Sequence, residues 1–202
     1  MQGFEPLLKE IVRVYGGRKK LTAYFGQPKI PSIFRPSKKW DCVILNKDGQ
    51  IVAVIELKSH LGSGENYDFI KNFNNRVEEA LGSATDFQLS IPYLWPAVRK
   101  PFVGFFLLLE DHPNSIGEKQ IRIDANYAIK DEKICYQYYH KKNIYQRWEQ
   151  CFEALTNAKS YDACGLILSK RGSQCKSRYP RESMFRDLPF FRSFAHFIED
   201  LE

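Results

Sequence analysis

The feature that most constrains this chain is a turn dipeptide between two apolar runs. Asp48-Gly49 lies between the run from Cys42 to Leu45 and the run from Ile51 to Leu57. This dipeptide favours a two-residue type I′ turn, because both central residues of that turn need positive φ. The segment 40–59 is therefore predicted to be a β-hairpin.

The predicted hairpin brings charged side chains together on one face. With this turn, Lys47 faces Gln50 and Asp41 faces Glu56, and directly opposed residues have Cβ atoms roughly 4.5–5.5 Å apart. Two adjacent carboxylates repel each other unless a cation shares them. Lys58 lies two residues beyond Glu56 and so emerges on the same face.

The other face of the second strand is predicted to be core, since its residues are all apolar: Ile51, Ala53, Ile55 and Leu57. On the polar face, two carboxylates suit Mg²⁺, and an ammonium group beside the ion can orient and activate a water for attack on a phosphate. Charged residues at strand ends are common by chance, but opposed acids on a strand with an apolar reverse face favour a site. The spacing of Asp41, Glu56 and Lys58 resembles the motif of the PD-(D/E)xK nucleases, with Trp40 in place of the proline.

Length and composition predict one ordinary globular domain, residues 1–202. Of the residues, 44% are hydrophobic, and no apolar run approaches the length of a membrane span. The first residues lack the basic and apolar regions of a signal peptide. The cysteines are odd in number and form no CxxC, which indicates a cytoplasmic protein with reduced thiols and argues against a zinc site: Cys42, Cys135, Cys151, Cys164 and Cys175.

Positive charge is gathered in three runs, within residues 17–20, 35–39 and 170–181. The net charge of +6 favours a polyanionic partner, although any one run could be a solvated loop. The second run leads directly into Asp41, where a backbone phosphate would have to arrive. The basic residues expected to contact double-stranded DNA are Arg35, Lys38, Lys39, Lys170, Arg171, Lys176 and Arg178.

Hydrophobic periodicity predicts an α/β fold. Apolar residues at helical spacing indicate helices over 4–15, 68–85, 142–158 and 190–201, and continuous apolar runs indicate buried strands over 102–109 and 163–168. Residues 18–37 are expected to be mostly loop. Together with the hairpin, this order predicts a central mixed sheet flanked by helices.

The predicted helix that follows the hairpin has two distinct faces. Asp68 is expected to cap it, and its inward face is predicted to contain Phe69, Ile70, Phe73, Val77, Leu81 and Ala84. Its polar face contains Asn72, Asn75, Arg76, Glu79 and Ser83. Arg76 and Asn75 have the donor geometry to read base edges, but they could instead support the active site, and Arg76 with Glu79 could be a simple surface pair.

Four blocks of the chain, within residues 35–41, 55–59, 72–86 and 101–111, closely resemble, in order, blocks of the XhoI family of type II restriction endonucleases. The block at 72–86, Asn-Phe-Asn-Asn-Arg-Val-Glu-Glu-Ala-Leu-Gly-Ser-Ala-Thr-Asp, is the most specific. The resemblance covers most of residues 33–111. It implies a restriction-endonuclease-like core of the PD-(D/E)xK type.

The resemblance further implies a Mg²⁺-dependent enzyme that cuts both strands of a palindromic DNA site, CTCGAG or a relative. It also implies a homodimer in a prokaryotic cytoplasm, with a DNA methyltransferase as genetic partner. Asp41, Glu56 and the carbonyl of Leu57 are expected to hold Mg²⁺, and Lys58 is expected to position or deprotonate the attacking water. The expected products are 5′-phosphate and 3′-hydroxyl ends. An additional carboxylate could come from Glu5, Glu10 or Glu79.

Two alternatives remain at the level of sequence. A repair or recombination nuclease of the same superfamily would keep these three residues but recognise DNA structure. A DNA-binding module without activity would tolerate their loss, and their presence argues against it.

Overall fold

A computed structural model describes residues 4–62, 68–94, 99–117, 142–170, 177–178 and 187–201. The helices are α1 (Phe4–Gly16), α2 (Ile70–Leu94), α3 (Pro113–Ile116), α4 (Ile144–Asn157) and α5 (Asp187–Glu199), with a 3₁₀ turn at Gly17–Lys19. The strands are β1 (Thr22–Phe25), β2 (Lys29–Ile30), β3 (Lys38–Lys39), β4 (Cys42–Leu45), β5 (Ile51–His60), β6 (Phe102–Glu110), β7 (Ala163–Ser169) and β8 (Ser177–Arg178).

Within these residues the main sheet has six strands in the order β1-β4-β5-β6-β7-β8. The central strands β5, β6 and β7 run parallel, and β1, β4 and β8 pair in the antiparallel sense. Strands β2 and β3 form a separate two-stranded ribbon. The predicted α/β fold with a central mixed sheet is confirmed.

Helices cover both faces of the sheet. Helices α2 and α4 pack on one face, where Val54, Phe105 and Trp148 belong to one buried cluster. Helices α1 and α5 pack on the other face, where Ile55 and Phe106 belong to a second cluster. Alternate residues of β5 and β6 serve opposite clusters, as the period of a strand requires. None of the helices in the described ranges has the length and hydropathy of a membrane span.

The hairpin between β4 and β5 forms, but the predicted two-residue type I′ turn is wrong. The amide of Gly49 donates to the carbonyl of Asn46 (3.1 Å), and the amide of Asn46 donates to the carbonyl of Gln50 (3.0 Å). Gly49 has a φ of 76°, whereas Asp48 does not adopt positive φ. The Asn46 side-chain oxygen accepts from the amides of Asp48 and Gln50, so it stabilises a longer turn than the dipeptide alone predicts.

A bulge compensates for the longer turn. Leu45 pairs with Ile51, but Ile44 pairs with Ala53, so Val52 is the extra residue. Beyond the bulge, Cys42 pairs with Ile55, which is the register predicted from the shorter turn. The bulge turns Ile51 towards the α2/α4 cluster, so its predicted place beside Ala53, Ile55 and Leu57 is wrong, whereas those three lie in the α1/α5 cluster as predicted.

Three further predictions need correction. Residues 18–37 are predicted to be mostly loop, but residues 22–25 within them form β1, an edge strand too short for its alternation to be recognised in a proline-rich segment. Helix α2 continues past residue 85 to Leu94 and contains Pro92. A proline so close to the end of a helix removes few of its hydrogen bonds. Leu81, predicted to face inward, is 45% exposed, while Ala80 and Phe87 fill the inward positions.

The remaining elements match their predictions within a few residues. The Asp68 side chain accepts a hydrogen bond from the amide of Ile70 (2.8 Å), which confirms its role at the start of α2. Strands β6 and β7 and helix α4 occupy the segments expected for them.

Candidate active site

The hairpin register places Asp41 next to Glu56. Asp41 precedes β4, and its carboxylate Oδ2 accepts a hydrogen bond from the main-chain amide of Leu57 (2.8 Å). The amide and carbonyl of a strand residue point to the same edge. The Leu57 carbonyl therefore points towards the edge that Asp41 occupies.

Glu56 is the most deeply buried charged group of the site. It is 1% exposed, and its Oε1 accepts from the ammonium groups of Lys58 (2.8 Å) and Lys38 (3.0 Å). Its other oxygen, Oε2, is buried and has no hydrogen-bond partner among the described residues. A buried carboxylate oxygen without a partner is costly, so this atom indicates a position where a positive group would be stabilised.

Lys58 lies between the two acids. Its ammonium is 2.8 Å from Glu56 Oε1 and 4.0 Å from Asp41 Oδ2, and the side chain is 23% exposed. The structure thus brings together the three residues that the sequence predicts as a catalytic group. Partial exposure leaves the ammonium within reach of a substrate that approaches from solvent.

Buried aromatic residues lie close to the acid pair. The Trp40 indole, which is 1% exposed, packs edge-on against Phe87, and the Lys38 ammonium lies 5.1 Å from the centre of the Trp40 ring. The Tyr161 hydroxyl donates to the carbonyl of Ala80 (2.8 Å). Burial raises the pKa of Tyr161 well above its usual value, and the negative charge of Glu56 adds to that increase. These buried rings exclude water from one side of the site, and charge interactions there are therefore stronger than in water.

The donor set fits a hard divalent cation. Asp41 and Glu56 supply carboxylate oxygens, Leu57 supplies a carbonyl at the same edge, and Glu56 Oε2 is a buried oxygen without a partner. No group of three His, Cys, Asp or Glu side chains suitable for a metal occurs in the described part of the chain. The residues of this donor set that could hold Mg²⁺ are Asp41, Glu56 and Leu57.

The candidate third carboxylates each form an ion pair with a neighbour on their own helix. Glu79 pairs with Arg76 at 2.5 Å and is half-exposed. Glu5 pairs with Lys9, and Glu10 pairs with Arg13, on helix α1. Helix α1 packs on the opposite face of the sheet from Glu56.

Two of the predicted DNA contacts are engaged with buried acids. The Arg35 Nε donates to Asp86 Oδ2 (2.8 Å) while the Arg35 side chain stays 46% exposed. Lys38 is only 13% exposed and contacts Glu56. Lys39, the next residue, is exposed.

The other predicted DNA contacts belong to different elements of the fold. Arg76 is partly exposed and pairs with Glu79, and Asn75 is exposed one residue before it on α2. Lys170 is exposed just after β7. Arg178 belongs to β8, which pairs with β7, and the two remaining candidates lie outside the described residues: Arg171 and Lys176.

Sequence reasoning missed Asp86, which fixes the segment that leads to Lys38 and Asp41. The Asp86 carboxylate, 4% exposed, accepts from Ser32 Oγ (2.8 Å), from the amide of Phe34 (3.4 Å) and from Arg35. Ser90, one turn further along α2, accepts from the amide of Ile33 (2.8 Å). Asp86 lies one residue beyond the predicted helix 68–85 and at the end of the block 72–86, and neither pattern predicts these contacts.

Comparison with known proteins places the chain in one family. The family model described as Restriction endonuclease XhoI matches residues 1–181. The chain is 34% identical to Type II restriction enzyme BstVI of Geobacillus stearothermophilus over 152 residues, 67% of this chain and 65% of that protein. It is 38% identical over 124 residues to Type II restriction enzyme AbrI of Azospirillum brasilense, 57% of this chain and 50% of that protein.

A third relative is Type II restriction enzyme XhoI of Xanthomonas vasicola, 38% identical over 115 residues, 55% of this chain and 44% of that protein. The matches thus span 44–65% of the length of these curated relatives. No solved structure matches significantly. The match over residues 1–181 includes the hairpin and the Asp41, Glu56 and Lys58 group, so the chain belongs to the XhoI family of restriction endonucleases.

Proposed function

We propose that this chain is a metal-dependent type II restriction endonuclease, and that Asp41, Glu56 and Lys58 form its active site. The observation that carries the proposal is the placement of Lys58 between two acids, one of which has a buried oxygen without a partner. The names of the relatives, all type II restriction enzymes, support the same activity.

The proposed chemistry assigns one task to each residue. Mg²⁺, when bound by Asp41, Glu56 and the Leu57 carbonyl, would polarise a phosphate oxygen and acidify a coordinated water. The Lys58 ammonium, paired with Glu56, positions the attacking water and offsets negative charge that develops on the phosphate, while the proton of the acidified water leaves to solvent. Attack on phosphorus breaks the bond to the 3′ oxygen, which leaves a 5′-phosphate and a 3′-hydroxyl.

The proposed substrate is double-stranded DNA with a two-fold symmetric site. A single domain with one active centre cuts one strand, so a homodimer on a palindrome is the economical way to cut both strands. We propose the site CTCGAG or a close relative with a central CG, and a methyltransferase that protects the host's own copies of that site. Lys39 and Lys170 are exposed cations suited to backbone phosphates.

The experiment that tests this function is digestion of a long DNA of known sequence with purified protein and Mg²⁺, followed by sequencing of the ends. Cuts at one palindrome on both strands are expected. Efficient cutting of branched DNA, without cutting at a fixed sequence in linear duplex, would instead indicate a structure-specific nuclease. No cutting in the presence of folded protein and metal would contradict nuclease activity.

A further inference from the structure

One oxygen of Glu56 has two lysine partners. Lys58 contacts Oε1 at 2.8 Å and Lys38 contacts it at 3.0 Å. Lys38 is the more buried of the two, with 13% of its side chain exposed against 23% for Lys58. The PD-(D/E)xK motif accounts for Lys58 alone, so the second ammonium needs an explanation of its own.

Lys38 comes from a different part of the fold from the rest of the site. It belongs to the two-residue strand β3, which pairs with β2 outside the main sheet. The side chain extends across the face of Trp40 to reach Glu56. Its position is therefore set by the segment that Asp86 anchors to α2, and not by the strand that carries Glu56 and Lys58.

The charges around Glu56 indicate that the Lys38 ammonium opposes the binding of a divalent cation. Asp41 and Glu56 supply two negative charges, and Lys38 and Lys58 supply two positive charges in the same largely buried space. A divalent cation held by the two acids would lie close to both ammonium groups, and repulsion at such distances is strong when water is largely excluded. The proposed function assigns Lys58 to the reacting phosphate. Lys38 is thus the cation that metal binding has to displace.

We propose that Lys38 is a positioning residue that couples metal binding to DNA binding. Without DNA, its ammonium neutralises Glu56 and lowers the affinity of the acid pair for a divalent cation. A backbone phosphate that arrives at the site offers Lys38 an alternative partner, draws the ammonium away from Glu56 and so favours the metal. The inference rests on the proposed function in two respects, that the substrate is DNA and that Asp41 and Glu56 hold the metal.

This coupling has a measurable and reciprocal consequence. If DNA raises the metal affinity by a given factor, metal raises the DNA affinity by the same factor. Removal of the Lys38 charge should raise metal affinity in the absence of DNA. It should also reduce the factor by which DNA raises the metal affinity. A residue that only supports the structure of the site would have the opposite effect, since its loss would misplace Glu56 and weaken metal binding.

The first measurement is calorimetric titration of the protein with Ca²⁺ alone, an ion that takes the same oxygen ligands as Mg²⁺. Lys38→Met should bind Ca²⁺ about tenfold more tightly than the wild type, because one neighbouring positive charge is removed. Lys38→Gln keeps a neutral donor for Glu56 Oε1 and should show a similar gain. The second variant keeps the test valid if the methionine substitution prevents folding.

The matched control is Lys47→Met, which removes the same charge from an exposed position in the turn at the other end of the hairpin. Its Ca²⁺ affinity should stay within about threefold of the wild type, since exposed charges are screened. Unchanged or weaker Ca²⁺ binding by both Lys38 variants would overturn the proposal. An equal gain in Lys47→Met would also overturn it, because net charge would then explain the effect.

The second measurement is the affinity for a labelled duplex containing CTCGAG, by fluorescence anisotropy, with and without Ca²⁺. Phosphate contacts form on any sequence, so this arm does not require the recognition site to be correct. Ca²⁺ should tighten DNA binding by the wild type, and the ratio should fall several-fold in Lys38→Gln. An unchanged ratio would overturn the coupling. Absence of cleavage would count against the proposed function but would leave both binding measurements interpretable.

Discussion

The main-chain amide of Leu57 donates a 2.8 Å hydrogen bond to the carboxylate of Asp41, and this bond connects the start of β4 to β5 at the level of Glu56. The Asp41 side chain here takes the place of a backbone acceptor on the neighbouring strand. As a result, one acid is held beside the other at the point where β4 begins. The carbonyl of Leu57 points to the same edge, which completes the proposed set of metal ligands.

Substitution of Asp41 or Lys58 by alanine should abolish cleavage while the protein stays folded. We expect a loss of about 10²–10³-fold or more for either variant, since each removes a group that acts on the charge of the transition state. Without metal, Asp41→Ala should bind DNA more tightly than the wild type, because one carboxylate no longer repels the phosphate. Cleavage assays and metal-free binding measurements check both expectations; near wild-type cleavage by either variant would refute the site.

Asp86 should be important for stability in a way that Arg35 is not. Asp86→Ala removes the acceptor for Ser32, Phe34 and Arg35 and leaves donors unpaired, so we expect a loss of about 2–3 kcal/mol in the free energy of unfolding.

Arg35→Ala removes only one partly exposed member of this set and should cost about 1 kcal/mol or less. Urea unfolding of both variants tests the difference. Equal losses would show that the ion pair, and not the buried carboxylate, holds the segment. Asp86→Ala should also reduce cleavage, because Lys38 and Asp41 follow the anchored segment.

Lys39 should contribute to DNA affinity through a phosphate contact. Lys39→Ala should weaken binding to specific and random duplexes equally and reduce the slope of log affinity against log salt by about one unit. The control is Lys47→Ala, an exposed lysine in the turn at the other end of the hairpin from Asp41. A slope that is unchanged in Lys39→Ala, or reduced to the same extent in the control, would exclude the contact.

The sequence predicted the pairing of Asp41 with Glu56 correctly even though the predicted turn was wrong. The reason is physical: Asn46 lengthens the turn, and the extra residue Val52 restores the register before the site is reached. A local dipeptide preference contains no information on a bulge several residues away. It therefore could not predict that Ile51 would change faces.

The contacts of Lys38 and Asp86 could not have been predicted from the sequence. Both join residues that are distant along the chain, Lys38 with Glu56 and Asp86 with the segment 32–35, and both depend on how β3 and α2 pack. Charge runs predict affinity for polyanions but do not distinguish a lysine that neutralises a buried acid from one that is solvated. By contrast, β6 and β7 were predictable because continuous apolar runs of strand length have few alternatives.

His60 should make stability depend on pH. The Trp148 indole donates to His60 Nδ1 (2.8 Å), so Nε2 carries the proton and donates to the carbonyl of Phe69 (2.9 Å). Burial lowers the pKa of His60 from 6.5 to about 4, with the nearby Arg76 charge adding to the effect, while the bond to Phe69 opposes it. The folded protein thus holds a neutral imidazole that the unfolded chain would protonate.

The sign of the effect follows from proton uptake. Between about pH 6.5 and pH 4 the unfolded chain binds more protons at this residue, so stability falls as the pH falls through that window. From about pH 7.5 to about pH 5 this residue should account for a loss of ~2 kcal/mol. Denaturant unfolding of the wild type and of His60→Gln measures the difference; an equally steep pH dependence in the variant would contradict the assignment.

The most direct test of the proposed activity is a digest of two plasmids, one with a single CTCGAG and one without it, by the wild type and by Lys58→Ala. With Mg²⁺, the wild type is expected to linearise only the first plasmid and to leave TCGA overhangs with 5′-phosphates. The variant and the metal-free reaction are expected to leave both plasmids intact. Linearisation by Lys58→Ala at the wild-type rate, or by the wild type in the presence of a metal chelator, would contradict the central claim that these residues and a bound metal perform the cleavage.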